Sequence, residues 1–563
     1  MASTAPNPQV GQRPDIFAEL ESRYPLTVTA FSQMESGAEA LSAVCELERR
    51  WVKLNSGGTH AKPFRYVETP DDLPPCPPEH SFDVVVAGGG LGLITGLALA
   101  QRGFKVMVFD RDKVGAAHRE WNISERELAA FQRWGIFTPA EMAATVARRY
   151  SRGVISFSAE ETGVNACPLE LEGVLDVALD AQALLDLARR RFTEAGGVIK
   201  EGRAFRRLHI ARKGEITSVF EVSGPTGCEI YRTRLAVDTM GSVSPIAVAL
   251  NGGVPFDGVC PTAGTIVKGI DLEHTTGDVL VTVTGSRSGR QLIWEGFPGH
   301  EDETTVYLFY YSSTGREEAG KQSLLALFEQ YYALLPTYKE LLPTFRHLKP
   351  VFGYIPARHG RPGRNAARGL LCLGDSAAGQ SPLTFCGFGS FVRHIGRVAS
   401  LLDYALESGL LEEKHLASIS PHQANLGVAW VFSRFMQPWR GGGETGVNRL
   451  MNIFCRALQD VGPGTTLRFL QDRYSFGEYL RIMLTTARYY PGVFALTARV
   501  LGPQGLARWA GDITKFAFDG ACRTAYRLFG RAAWQRLEKL FAFTSPAISL
   551  KMRALRSAWL ASE

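Results

Sequence analysis

Asp83-Val84-Val85-Val86-Ala87-Gly88-Gly89-Gly90-Leu91-Gly92 reads as a short buried strand running into a glycine turn. A helical pattern follows from Leu93 to Arg102, and a second apolar run, Lys105 to Phe109, ends in Asp110. This is a βαβ unit with an acid about twenty residues past the turn. Gly88, Gly89 and Gly90 let the backbone approach a pyrophosphate. The helix N-terminus offers unpaired N–H groups and positive potential, and Asp110 accepts from ribose hydroxyls. The pattern therefore points to a dinucleotide site; the bland alternative is a βαβ crossover with no ligand. The register is imperfect, because the third glycine of Gly-x-Gly-x-x-Gly falls on Leu93. Gly92 and Gly96 are expected to supply the close helix–strand packing instead.

With 563 residues the chain is too long for one core, so two or three domains are expected. No uncharged apolar run reaches the ~18 residues of a spanning helix. Met1 to Pro14 is polar and lacks an apolar signal core, which favours a cytoplasmic protein. The nine cysteines include no Cys-x-x-Cys pair, which argues against a zinc or iron–sulfur site. Charge is uneven: after residue 420, 19 Lys+Arg stand against 8 Asp+Glu, so 19 − 8 = +11 of a total of +6. The basic residues are scattered singly among apolar ones, as at Arg481, Arg488, Arg499 and Arg508. That fits amphipathic helices, peripheral on the inner face of a membrane or merely solvated, and not a nucleic-acid arm.

The expected organisation has five parts. Residues 1–80 form a helical extension ending in a Pro-rich linker, Glu68 to His80. Residues 81–255 form the first part of the dinucleotide domain, and 256–358 a strand-rich substrate domain. Residues 359–405 complete the dinucleotide domain, and 406–563 are helical. Within this frame 322–342 reads as helix, and Gly369 to Leu373 as a short buried strand.

Leu370-Leu371-Cys372-Leu373-Gly374-Asp375-Ser376-Ala377-Ala378 is followed by Pro382 and the glycine pair Gly387 and Gly389 at a helix start. A strand ending in Gly-Asp, then a proline, then a glycine-led helix resembles the second fingerprint of FAD-dependent hydroxylase-like proteins. The resemblance implies that Asp375 holds the ribityl chain. The helix from Gly387 aims its positive end at the pyrimidine edge, which favours a reduced, anionic flavin. It also implies that Arg111 reaches the adenosine side and that Asn122 lines the FAD. Val237-Asp238-Thr239-Met240-Gly241-Ser242 lies where hydroxylases carry Asp-Gly, but Met240 replaces that Asp, which weakens an NAD(P)H-driven hydroxylase reading. Ser124 followed by Glu127 also reads as a helix-capping box. Arg393 and Arg397 read as solvated charges on the glycine-led helix.

Arg119 to Ser124, Asp238 to Pro245, Trp294 to Pro298, Ser381 to Ser390 and Arg468 to Asp472 resemble the CruA/CruP-type lycopene cyclases of green sulfur bacteria, cyanobacteria and plants. The resemblance spans about residues 80 to 480. It implies an α/β fold: a Rossmann-like FAD-binding domain, an inserted β-sheet substrate domain and a helical C-terminal region. It further implies acid-catalysed closure of a carotenoid ψ end group to a β-ionone ring, with reduced FAD and NAD(P)H as electron source. Such chemistry needs a proton donor kept neutral by apolar surroundings, and walls that tolerate a cation. Glu295, within Leu292 to Phe297, is the candidate acid; the alternative is a strand-end carboxylate paired with Arg290. Trp294, Phe297, Phe309 and Tyr310 are candidate cation-facing walls, or ordinary core. The other readings are a flavin monooxygenase or prenyl reductase on a hydrophobic substrate, and a non-catalytic flavin-binding paralogue at membranes.

Overall fold

The computed structural model describes residues 16–55, 62–117, 121–254, 256–357, 363–379, 387–419 and 424–561. Pro382, and most of the block from Ser381 to Ser390, lie outside them.

The opening stretch forms the strand Ser81–Ala87 and the helix Leu91–Ala100. Val84, Val85 and Val86 are fully buried, which fits a central parallel strand covered on both faces. This strand pairs in parallel with Val106–Phe109 and with Gly227–Asp238. Leu370–Cys372 pairs in parallel with the end of Gly227–Asp238, so it extends the same sheet. The sheet has nine strands, with helices Leu91–Ala100, Ala181–Glu194 and Gly387–Glu407 sharing one apolar layer against it. Asp180 caps the second of these through Ala183 N (2.9 Å), and Gly196, at φ +80°, follows its end.

A second, eight-stranded sheet is built mainly from Gly258–Ile270, Thr276–Val281, Ile293–Pro298, Glu303–Phe309 and Leu341–Ala357. One face packs on the N-terminal helices Pro25–Ser32 and Gly37–Asn55 and on Leu324–Tyr338. The other packs on C-terminal helices, among them Leu426–Phe435 and Gly446–Val461. The architecture is thus a mixed α/β fold with a Rossmann-like sheet, a second sheet and a helical C-terminal region.

Several local readings change. Strand pairing crosses the expected boundaries at 80 and 255: Phe64–Val67 joins the first sheet, and Arg152–Ser156 joins the second. The Pro-rich stretch holds two 3-10 turns, Pro70–Asp72 and Pro78–His80, and pins Leu73 against Ala211 and Val219, so it is not a free spacer. The helix expected over 322–342 stops at Tyr338, and a 17-residue strand, Leu341–Ala357, begins at once. Pro343, Pro350 and Pro356 disguise that strand. They are tolerated because, among the described residues, it pairs only with Gly258–Ile270.

Candidate functional site

Gly88 has φ +109°, and a Cβ there would lie 2.6 Å from the Thr239 carbonyl oxygen, so the turn requires glycine. A Cβ on Gly92 would meet Thr239 Oγ1 at 2.3 Å, and one on Gly96 would meet Val108 at 2.7 Å. The helix therefore packs as closely as the pattern demands, although Leu93 holds the third glycine position. Around Gly90, by contrast, none of the described residues lies within 4 Å of such a Cβ. Asp110 ties the turn together: its carboxylate accepts from Gly89 N (2.6 Å) and Asp112 N (3.0 Å). Arg111 is half-exposed and pairs with Asp112 (2.9 Å).

The second fingerprint lies beside the first. Gly374–Ala377 is one 3-10 turn, anchored where Ser376 Oγ donates to the Asp238 carbonyl (2.8 Å). Gly374, at φ +64°, and Gly241, at φ +79°, both leave a Cβ with no neighbour within 4 Å among the described residues. The helix Gly387–Glu407 starts opposite. Leu91, Gly374, Asp375, Gly387, Ser390 and His394 line one cleft, so residues from both fingerprints share a wall. His394 is 1% exposed, and neither ring nitrogen has a hydrogen-bond partner. Burial, then Arg397 and Arg393, hold its pKa well below the usual range, so the ring is neutral.

These features fit FAD. Neither helix facing the cleft has an acid in its first turn, glycines leave room for a pyrophosphate, and an unsatisfied imidazole awaits a polar group. Asn122, half-buried on Trp121–Ile123, accepts from the Tyr150 hydroxyl (3.3 Å). The neighbouring Trp121 ring lies 4.6 Å from Phe388, on the first turn of the glycine-led helix. Ser124 caps the next helix in a reciprocal box with Glu127. Asp238 is wholly buried and accepts from Ser244 Oγ (2.5 Å) and Met240 N (3.0 Å). Burial pushes its pKa up to about 6.

The expectation that Arg393 and Arg397 are solvated is overturned: the Arg393 side chain is only 7% exposed, and Arg397 is buried. Arg393 lies between Glu127 Oε1 (3.4 Å) and Asp472 Oδ2 (3.8 Å), and donates to the Gln471 carbonyl. Glu127 in turn sits under Gly389, where a Cβ would come within 2.5 Å of Oε2. Arg397 donates to Ser557 Oγ (3.0 Å) and the Ala554 carbonyl (3.3 Å). Sequence reasoning misses this network; its available signal is Asp472, which closes the Arg468 to Asp472 block.

Glu295 lies on the central strand Ile293–Pro298, directly opposite Tyr307. It is partly accessible and shares a face with Ile293 and Phe297, which belong to the apolar layer under the C-terminal helices. Burial, then the Glu295 charge, drive the Cys260 thiol well above its usual range, so the carboxylate is close to that layer. Trp294 points the other way and stacks on Tyr338 (centroids 4.8 Å apart). Tyr310 shares that opposite layer. Strand alternation therefore removes Trp294 and Tyr310 from the walls around Glu295 and leaves Phe297 and Phe309, both core residues. Arg290 lies over the Tyr310 ring and donates to the Lys321 carbonyl.

No family model and no curated protein matches the chain. Solved structures do. A geranylgeranyl bacteriochlorophyll reductase-like protein from Thermoplasma acidophilum superposes with TM-score 0.53 at 13% identity, covering 75% of this chain and 99% of that one. Halogenase PltM, in complex with phloroglucinol and FAD, gives 0.50 at 12% identity, covering 84% and 98%. The p-nitrophenol 4-monooxygenase PnpA from Pseudomonas putida DLL-E4 gives 0.50 at 14% identity, covering 71% and 98%. The chain has the fold of FAD-dependent oxidoreductases.

Proposed function

We propose that this chain is a FAD-dependent enzyme that cyclises carotenoid ψ end groups to β-ionone rings without net redox change. One observation carries the reading. The blocks of sequence that resemble lycopene cyclases lie far apart in the chain, yet three of them converge on the start of the helix Gly387–Glu407. Trp121 packs on Phe388, and Asp472 joins Glu127 around Arg393.

When bound, reduced FAD supplies negative charge that favours a cationic transition state. The remaining work falls to side chains. Gly90, Gly374 and His394 hold the dinucleotide, and the N-terminus at Gly387 favours its anionic form. Glu295, in its neutral form, gives its proton to the terminal double bond. The ring closes on the resulting cation, and a ring proton then passes to the Glu295 carboxylate and restores the acid, so that proton count and oxidation state are unchanged overall. Phe297 and Phe309 exclude water from that face.

The test is pigment from lycopene-accumulating cells that express the chain. β- or γ-carotene is expected with the parent protein and none with Glu295→Gln, while both purified proteins retain flavin. Unchanged lycopene with the parent protein overturns the cyclase reading; ring formation by Glu295→Gln removes Glu295 from the acid role. The second reading, a monooxygenase or prenyl reductase on a hydrophobic substrate with NAD(P)H as reductant, draws support from the shared fold. It predicts substrate-dependent NAD(P)H consumption. Bound flavin with neither outcome marks a non-catalytic paralogue.

A further inference from the structure

The last four helices, Phe476–Tyr489, Val493–Phe529, Arg531–Thr544 and Pro546–Ala561, sort their side chains unusually. Together they carry 13 Lys and Arg and 4 Asp and Glu. All four acids are turned inward and engaged: Glu478 with Arg468, Asp512 with Trp430, Asp519 with Trp559, and Glu538 with Arg556. None of the acids is exposed, whereas nine of the basic residues are, among them Lys515, Arg536 and Lys539. The apolar side chains follow the same logic. Of 17 large hydrophobic residues exposed among the described residues, 12 lie on these helices. Phe518 and Leu528 are 72% exposed and Phe543 is 90% exposed.

An outer surface that combines protruding apolar side chains with cations, and holds every acid inside, is complementary to a bilayer with anionic headgroups. A second copy fits it badly, because self-contact would bring two sets of cations together without an acid between them. No helix among the described residues is long and apolar enough to cross a membrane. We propose that the outer faces of these four helices dock the protein on an anionic lipid surface, with Phe518, Leu528 and Phe543 entering the acyl boundary. The inference rests on this surface alone and is independent of the carotenoid reading, although a substrate dissolved in lipid would be reached from there.

The experiment is co-sedimentation of the full-length protein with phosphatidylcholine vesicles, with or without phosphatidylglycerol, at low and high salt. Binding is expected with phosphatidylglycerol at low salt, and weakening as salt rises. Arg536→Gln/Lys539→Gln should lose about fivefold in partitioning per cation. Phe518→Ser/Leu528→Ser/Phe543→Ser should stay in the supernatant with an unchanged thermal melt, since these side chains are exposed. The proposal is overturned if the parent protein fails to pellet at low salt, or if the triple variant pellets like the parent. It is equally overturned if sedimentation velocity shows a dimer that the triple variant dissociates while vesicles bind neither protein.

Discussion

Replacing Arg393 by Met should expose how much of the fold depends on one buried cation. Its guanidinium is 3.4 Å from Glu127 and 3.8 Å from Asp472, and both carboxylate side chains are 3% exposed. At an effective dielectric of about 20, each contact contributes roughly 4–5 kcal/mol of attraction before desolvation. Burying three charges takes back much of that, so the network's net value is small. Removing the cation alone is different, because it withdraws one positive charge from two buried carboxylates. The expected loss is about 3–5 kcal/mol. Urea unfolding followed by tryptophan fluorescence measures it, and cycles with Glu127→Gln and Asp472→Asn should return coupling of about 1–3 kcal/mol. A variant within about 0.5 kcal/mol of the parent would refute this reasoning.

Two glycines separate packing from ligand binding. Gly389→Ala meets the Glu127 carboxylate and should lose about 1–3 kcal/mol of stability, whereas Gly90→Ala meets none of the described residues and should melt normally yet bind FAD at least about tenfold more weakly by fluorescence titration. The opposite pattern would reject the placement of the cleft. His394→Leu should stabilise the FAD-free protein by about 1–3 kcal/mol, because it removes an unsatisfied buried ring, while weakening FAD binding; unchanged FAD affinity would assign the histidine no part in the site. Asp238 has its carboxyl raised from 3.8 to about 6, so the stability it contributes below about pH 4 is lost as pH rises through about 6, by about 3 kcal/mol in all. Asp238→Asn should flatten that part of the stability–pH curve, and a slope identical to the parent's would place the titration elsewhere.

Features written in a few consecutive residues are legible in the sequence alone. The strand into Gly88, the substitution of Gly92 and Gly96 for the missing third glycine, and the Ser124 capping box each follow from local sterics or hydrogen bonding. What the sequence hides is non-local. Nothing near Arg393 announces that Glu127 and Asp472, each far away along the chain, will enclose it, so an arginine on an amphipathic helix reads as solvated. Leu341–Ala357 is hidden for a related reason: its prolines argue against a central strand, and only the pairing shows that it is an edge. Adjacency suggests that Trp294 stands beside Glu295, yet adjacency in a strand puts neighbours on opposite faces.

The helix Gly387–Glu407 joins the cleft to the C-terminal region. Its first turn closes the cleft opposite Gly374. Further along, Arg393 ties it to the Gln471–Asp472 corner, and Arg397 ties it to the last helix through Ser557 and Ala554. The corner itself is held in an unfavourable conformation: Asp472 has φ +53°, which costs a non-glycine residue on the order of 1 kcal/mol. Asn425 Nδ2 donates to its carbonyl (2.6 Å), and its carboxylate meets Arg393. A backbone strained in this way persists only where its surroundings over-determine it. The C-terminal helices are therefore built into the cleft's scaffold rather than appended to it. Ser557 and the Ala554 carbonyl brace the dinucleotide side through Arg397, while the cations and phenylalanines of these helices point outward.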